Sequence, residues 1–232
     1  SAKDICKSYG TDIIIEDVSF SVNKGDKVGI VGPNGAGKTT FLESVCGVRK
    51  NDGIMLLDGV SYTYKKRIGK IFMVMQDVNY ELFAESVEKE CSFGINRPDP
   101  RVIAETMDTL DLLPLAKQHP GTLSGGQKQR VAVAVGQVCK KEIIVFDEPT
   151  SGLDYESMIR VARIVQSLSE QGKIIFVVTH DYEFFCRTCS RMLVFSDGKI
   201  SNDLKCRADN KEEIRQLFFR AAGENIGGDF FE

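Results

Sequence analysis

The 232-residue chain has no apolar run approaching the roughly 18 residues that cross a bilayer as a helix. Its start, Ser1-Ala2-Lys3-Asp4, lacks the apolar segment of a secretory signal. A cytoplasmic protein with no intrinsic membrane span is therefore expected. There is no basic stripe either: 30 Lys and Arg are interspersed with 33 Asp and Glu for a net charge of −3, which argues against nucleic acid as the main partner. Histidine is scarce. With only His119 and His180, the motif Cys186-Arg187-Thr188-Cys189 lacks the second ligand pair of a structural zinc site. Seven cysteines, odd in number and irregularly spaced, suit reduced and mostly buried thiols, and the C-x-x-C pair reads as core packing on one helix face. No internal repeat or low-complexity linker is found, and 42% hydrophobic with 27% charged residues is ordinary for a globular protein. One domain over 1–232 with an inserted subdomain is expected.

What is present is concentrated in Gly32-Pro33-Asn34-Gly35-Ala36-Gly37-Lys38-Thr39-Thr40, which fills G-x-x-x-x-G-K-[ST] at every fixed position. Glycines at 32, 35 and 37 allow positive φ and remove side chains, so successive backbone N–H groups can surround a polyphosphate. Lys38 adds a point charge for the β- and γ-phosphates. Thr39 offers a hydroxyl to Mg²⁺, and the helix expected over Thr39 to Gly47 points its positive end at the anion. A chance glycine turn is the plain alternative, but the strand pattern of Asp26 to Val31 before it and the helix pattern after it supply the required context.

Other candidates lie at strand ends. Ile5 to Val22 alternates apolar and polar residues as an antiparallel layer does, with Tyr9 just before a Gly10-Thr11-Asp12 turn. That ring either packs the hairpin or stacks on a flat purine. Ile71 to Met75 reads as a buried strand delivering Gln76 to a sheet edge, where a polar side chain reaches ligand space. Helical periodicity broken by Pro98, Pro100, Pro114 and Pro120 follows, read as a helical subdomain at about 77–138 inserted in the α/β core. Leu123-Ser124-Gly125-Gly126-Gln127 opens another helix, with Ser124 as N-cap and glycines leaving N–H groups open for a second anion contact. Glu142 to Asp147 and Glu148 form an apolar strand ending in two acids, a costly arrangement unless paired or metal-bound. Asp147 is placed to hold Mg²⁺, and Glu148 to polarise a water aimed at the γ-phosphate. The strand Lys173 to Thr179 delivers His180-Asp181 at the same edge. Arg191 to Phe195 and Lys199 to Ser201 read as a closing hairpin, Lys211 to Ala222 as a helix, and Gly223 to Glu232 as a frayed tail.

In this order the motifs resemble the ATP-binding cassette (ABC) ATPases along nearly the whole chain. The phosphate loop is matched by residues 32–40, the glutamine loop by Gln76, the signature by Leu123–Gln127, the acidic strand by Ile143–Glu148, the D-loop by Ser151–Asp154, the switch histidine by His180 and the adenine-stacking aromatic by Tyr9. The resemblance implies a RecA-like P-loop NTPase core, a mainly parallel sheet with flanking helices, joined to an antiparallel β subdomain and an α-helical insert. It implies ATP and Mg²⁺ as cofactors, with Thr39, Gln76 and Asp147 at the metal. Lys38, Gln76, Glu148 and His180 take the catalytic roles. ATP would lie between Gly32–Thr40, with Tyr9, of one cassette and Ser124-Gly125-Gly126-Gln127 of a second cassette or fused half. An integral membrane transporter subunit is the implied further partner, placing the chain at the inner face of the cell membrane.

The segment Gln76 to Val87 is similar to that of energy-coupling factor importers of vitamins and metal ions, although Glu81 stands where glutamine is common and no proline precedes the acidic strand near Lys140-Lys141. The abrupt start reads as a domain excised from a longer or fused chain. A soluble ABC ATPase acting on ribosomes or DNA is the alternative, but Lys38 to Ser124 leaves little room for the long coiled-coil insertion usual there. A stand-alone nucleotide kinase would leave Leu123–Gln127 unexplained.

Overall fold

The computed structural model describes residues 1–9 and 12–223. Gly10 and Thr11 of the expected turn, and all of the expected tail but Gly223, lie outside the described residues. In chain order the elements are β1 (Ala2–Tyr9), β2 (Asp12–Phe20), β3 (Lys27–Val31), α1 (Lys38–Cys46), β4 (Asp52–Leu57), β5 (Val60–Ser61), α2 (Tyr64–Arg67) and β6 (Ile71–Val74). Then come α3 (Val87–Ser92), α4 (Pro100–Thr109), α5 (Gly125–Val138), β7 (Ile143–Asp147), α6 (Tyr155–Glu170), β8 (Ile174–Val178), α7 (Tyr182–Thr188), β9 (Arg191–Ser196), β10 (Lys199–Lys205) and α8 (Lys211–Ala222). They form two compact units, one from Ser1–Asn23, Lys27–Gly69 and Cys189–Glu232, the other from Lys24–Asp26 and Lys70–Thr188.

The first unit contains an antiparallel sheet in the order β2-β1-β4-β5. Period-2 alternation buries Ile5 of β1 with Ile15 and Val18 of β2 and leaves Ile13 exposed. Register shifts interrupt β1, and near them Asp4 and Asp17 take φ of 53° and 52°, the signature of bulges that tighten the local twist. The same unit pairs β3 in parallel with β9, and β9 antiparallel with β10. Val28, Ile30 and Val31 are all buried, as expected of a parallel strand covered on both faces. Fully buried Phe41 fixes α1 in this unit: its ring lies 5.5 Å from Phe20 of β2 and 4.9 Å from Phe195 of β9. Aromatic pairs at such separations add to the area term.

The second unit holds the parallel strands β6, β7 and β8 in spatial order, with Ile71 opposite Ile143 and Asp147 opposite Val178. The expected β6 stops at Val74, leaving Met75 exposed. Helices α3 and α4 pack against α5. Helix α3 starts where Ser86 caps it, and α4 runs from the Asp99 cap and Pro100 to Thr109. No helix among the described residues is long and apolar enough to cross a membrane.

The C-x-x-C expectation needs correcting. Cys189 is buried but Cys186 is exposed, because α7 ends at Thr188 and the helical phase that would align the pair stops one residue short. All seven cysteines are free thiols, and Cys46, Cys91 and Cys139 are also buried.

Candidate nucleotide site

In the first unit, the loop after β3 is shaped by contacts that only glycine permits. A Cβ on Gly32 would lie 2.4 Å from the Phe195 carbonyl oxygen, and Gly37, at φ 95°, would put one 2.8 Å from that of Ile14. Gly37 is also the N-cap of α1 and supplies no side-chain cap, so the first N–H groups of this helix face the loop. Lys38 is only 8% exposed, and its ammonium donates to the carbonyls of Gly32 at 2.7 Å and Pro33 at 3.0 Å. Thr39, Pro33, Asn34 and Gly35 are exposed, Thr40 is half-buried, and Ala36 is buried, its carbonyl accepting from the Gly198 N–H at 3.2 Å. The result is a tight loop, closed by the Ala36 N–H on the Pro33 carbonyl at 3.2 Å and gathered around the Lys38 ammonium, beside a helix start that no side chain caps. Tyr9 stands at the end of β1 in the same unit, 42% exposed, with its hydroxyl bonded to Arg49.

In the second unit, strand register assembles the acidic end. Because Asp147 pairs with Val178, the residues that follow each strand fall side by side. Asp147 is 3% exposed. Glu148 turns to φ 52°, a left-handed conformation that costs a residue with a Cβ about 1–3 kcal/mol. Its N–H is held by the Val178 carbonyl at 2.9 Å, and its carbonyl accepts from Gln129 Nε2 at 3.5 Å. Its carboxylate meets His180 twice, through the backbone N–H at 3.4 Å and through Nε2 at 3.4 Å. The imidazole itself is exposed. Glu148 and His180 therefore share one sheet edge and touch.

Gln76 is exposed on the bend beyond β6, in a loop braced by its own side chains. Asp77 caps the Asn79 N–H at 3.0 Å, Lys128 of α5 donates to Asn79 Oδ1 at 2.8 Å, and the Met75 N–H donates to Glu81 Oε1 at 2.8 Å. The other carboxyl oxygen, Glu81 Oε2, is buried and has no hydrogen-bond partner among the described residues. Burial pushes this acid up to about 7, opposed only by the Met75 N–H.

Gln76 and the Ser124–Gln127 segment line one cleft of about 810 Å³, together with Arg130 and the turn Ser151–Asp154. Here Ser124 is the N-cap that the sequence predicts. Ser124 Oγ accepts from the Gln127 N–H at 3.4 Å while Gln127 Oε1 accepts from the Ser124 N–H at 2.9 Å, a reciprocal capping box that occupies part of the motif with itself. Arg130 and Ser157 are site residues that the motifs did not single out. Arg130 donates to Ser157 Oγ at 3.0 Å, and the Ser157 N–H donates to Asp154 Oδ1 at 2.7 Å. That backbone bond is the main reason the Asp154 carboxyl titrates below its usual range. Arg130 was legible in principle, since it lies three residues past Gln127 and so on the same helical face.

Residues 15–151 match the family model described as ABC transporter. A provisionally named ABC transporter ATP-binding protein of Treponema denticola is 44% identical over 217 residues, 93% of this chain and 44% of that protein. The energy-coupling factor transporter ATP-binding protein EcfA of Methanothermobacter thermautotrophicus is 32% identical, over 85% of this chain and 68% of its own. Among solved structures, the ATP-binding cassette MJ0796, a dimer in a post-hydrolysis state bound to ADP and Pi, is similar with a TM-score of 0.79 and 27% identity, over 89% of this chain and 98% of that one. The chain spans less than half the length of several curated relatives that it matches.

Proposed function

The chain belongs to the ABC transporter family, and on that premise we propose that it is a cassette that binds and hydrolyses ATP to drive a membrane transporter. The observation that carries this reading is the loop around Lys38, a buried ammonium tied to its own loop's carbonyls beside an uncapped helix start. Gly32 to Thr40 cradle the phosphates, with Lys38 as their charge partner, and Tyr9 stacks the base. Thr39, Asp147 and Gln76 supply hydroxyl, carboxylate and amide oxygens, a donor set that suits Mg²⁺ when phosphates and water complete the shell. When bound, that ion would neutralise charge developing on the phosphates.

Glu148 is the general base for the attacking water, and His180, in contact with it, orients the water and meets the γ-phosphate. Ser124 to Gln127 contact the triphosphate held by a second cassette, either a fused half or a separate subunit; the length of the Treponema relative supports the fused form. The similarity to a dimeric cassette supports the pairing. A membrane subunit at the inner face of the cell membrane is the mechanical partner. Supporting this, Phe83 is exposed in a segment fixed by the buried Glu90, whose carboxylate accepts the N–H groups of Phe83 at 2.7 Å and Ala84 at 2.6 Å. The cargo proposed is a micronutrient, a vitamin or metal ion taken inward, on the resemblance of Gln76 to Val87 to energy-coupling factor importers, a group that the EcfA relative's name shares.

The test is Glu148→Gln in the protein assembled with its second cassette. ATP binding should persist while phosphate release falls by about 10²–10⁴-fold, and Mg-ATP should hold the two cassettes together on gel filtration. Undiminished release would remove Glu148 from its role.

A further inference from the structure

Tyr9 ends its strand with an exposed ring, and an exposed ring is free to sample rotamers unless something holds it. Here something does. Arg49 Nη1 donates to the Tyr9 hydroxyl at 2.6 Å, and the guanidinium carbon lies over the ring, 5.6 Å from its centroid, so the arginine holds the ring through both its hydroxyl and its π system. The guanidinium is itself clamped: Nε bonds Glu43 Oε2 and Nη2 bonds Glu43 Oε1 at 3.3 Å. That two-pronged grip uses one edge of the planar fork and aims the remaining nitrogen at a single acceptor.

Both anchors are set by α1. Glu43 projects one turn beyond Thr39 on the helix that begins at the phosphate loop. Gly47, left-handed at the C-cap, turns the chain so that the N–H groups of Val48 and Arg49 reach the Glu43 carbonyl at 3.0 and 3.2 Å. Arg49 is thus returned to the side chain of the residue whose backbone it caps. Lys7, two residues before Tyr9 on β1, lies with its ammonium 4.7 Å from the same ring centroid. The carboxylate also raises the Arg49 guanidinium above its usual range, as a persistent ion pair should.

We propose that Arg49, clamped by Glu43, is a positioning residue that fixes the Tyr9 ring relative to α1, so that base stacking and phosphate binding are set by one rigid element. The inference rests on the reading of Tyr9 as the base-stacking residue. The Arg49 side chain bonds Glu43 and Tyr9 rather than the 32–40 loop, so its effect should belong to ligands that carry a base. Immobilising one such side chain on binding costs an amount equivalent to about two- to tenfold in affinity, and prior fixing removes that cost.

Equilibrium binding of ATP and of inorganic tripolyphosphate to the chain and its variants separates the possibilities. Tyr9→Phe and Arg49→Ala should each weaken ATP by about two- to tenfold with tripolyphosphate unchanged, and the double variant should be no worse than either. Arg49→Lys should not rescue, because an ammonium cannot hold both oxygens of Glu43 and the hydroxyl in one plane. If Tyr9→Ala weakens ATP while Arg49→Ala does not, the positioning role is overturned and the stacking role stands. If Tyr9→Ala leaves ATP affinity intact, the stacking role fails and the inference with it. Equal loss of tripolyphosphate in Arg49→Ala would assign the ion pair to the integrity of α1 and also overturn the proposal.

Discussion

The starts of α1 and α5 are both glycine-rich, both read as anion sites, and are satisfied in opposite ways. At α1 no side chain caps the helix, and the nearby charge, Lys38, is buried and bonded to backbone carbonyls of its own loop. At α5 a serine and a glutamine cap one another, and the adjoining Gln76 loop is closed by Asp77 and Glu81. The first is shaped by close glycine contacts and carries no side-chain cap, so a phosphate meeting it has no capping side chain to displace. The second is braced by its own capping box, which engages the Ser124 and Gln127 N–H groups. On the proposed two-cassette reading, the α1 start would determine affinity and the α5 start would report occupancy. A chain alone should bind nucleotide through α1, and α5 should matter only once a second triphosphate is presented to it.

The largest expected effect would break this comparison if absent. Lys38→Ala removes the buried ammonium and with it the charge-assisted bonds to two phosphates, so ATP affinity should fall about a hundredfold or more, measured by calorimetry on the chain alone. If affinity is unchanged, the loop is not the preorganised half, and the contrast between the two helix starts dissolves.

The next effect sharpens the account of the second region. Glu81 is an acid whose folded-state value is raised to about 7 from the usual 4.5 by burial. Its contribution to stability is therefore full below about 4.5 and is lost as pH rises through about 7, where the folded state must carry a buried charge with one oxygen unpartnered. A rise of that size corresponds to about 3 kcal/mol. Glu81→Gln keeps an acceptor for the Met75 N–H and removes the titration. The urea midpoint of the variant should match that of the parent near pH 5 and exceed it above pH 8. Parallel pH profiles for the two proteins would mean that the loop carries no buried ionisation.

Such buried acids mark where sequence reading stopped. Motif spacing located the starts of α1 and α5, the acidic end of β7 and the histidine after β8, because each depends on residue types at fixed separations within one segment. The same reasoning met Glu81 only as a departure from a common glutamine and was silent on Glu90 and Arg49. Glu90 sits in a run with Glu85, Glu88 and Lys89 that reads as a solvated face, yet it is 2% exposed and holds two backbone N–H groups. Arg49 follows a helix end where a basic residue is unremarkable, and its meaning lies in Tyr9, forty residues away. Partners of this kind are chosen by the tertiary fold, which local periodicity does not encode. The exposed Cys186 has the same cause, since one residue beyond a helix end is enough to break a face.

The smallest expected effect tests the self-closed start directly. Ser124→Ala deletes one arm of the capping box and should destabilise the chain by about 1 kcal/mol, leaving its ATP affinity unaltered. Ser124→Asp separates the two roles of this position. Aspartate caps a helix as well as serine does, so thermal stability should return to the parent value. It also adds a negative charge where the triphosphate of a second cassette is proposed to sit, so ATP-induced association in a Glu148→Gln background should be lost. Association that survives the aspartate would mean that the α5 start never meets the phosphate, and that its capping box is all the motif does.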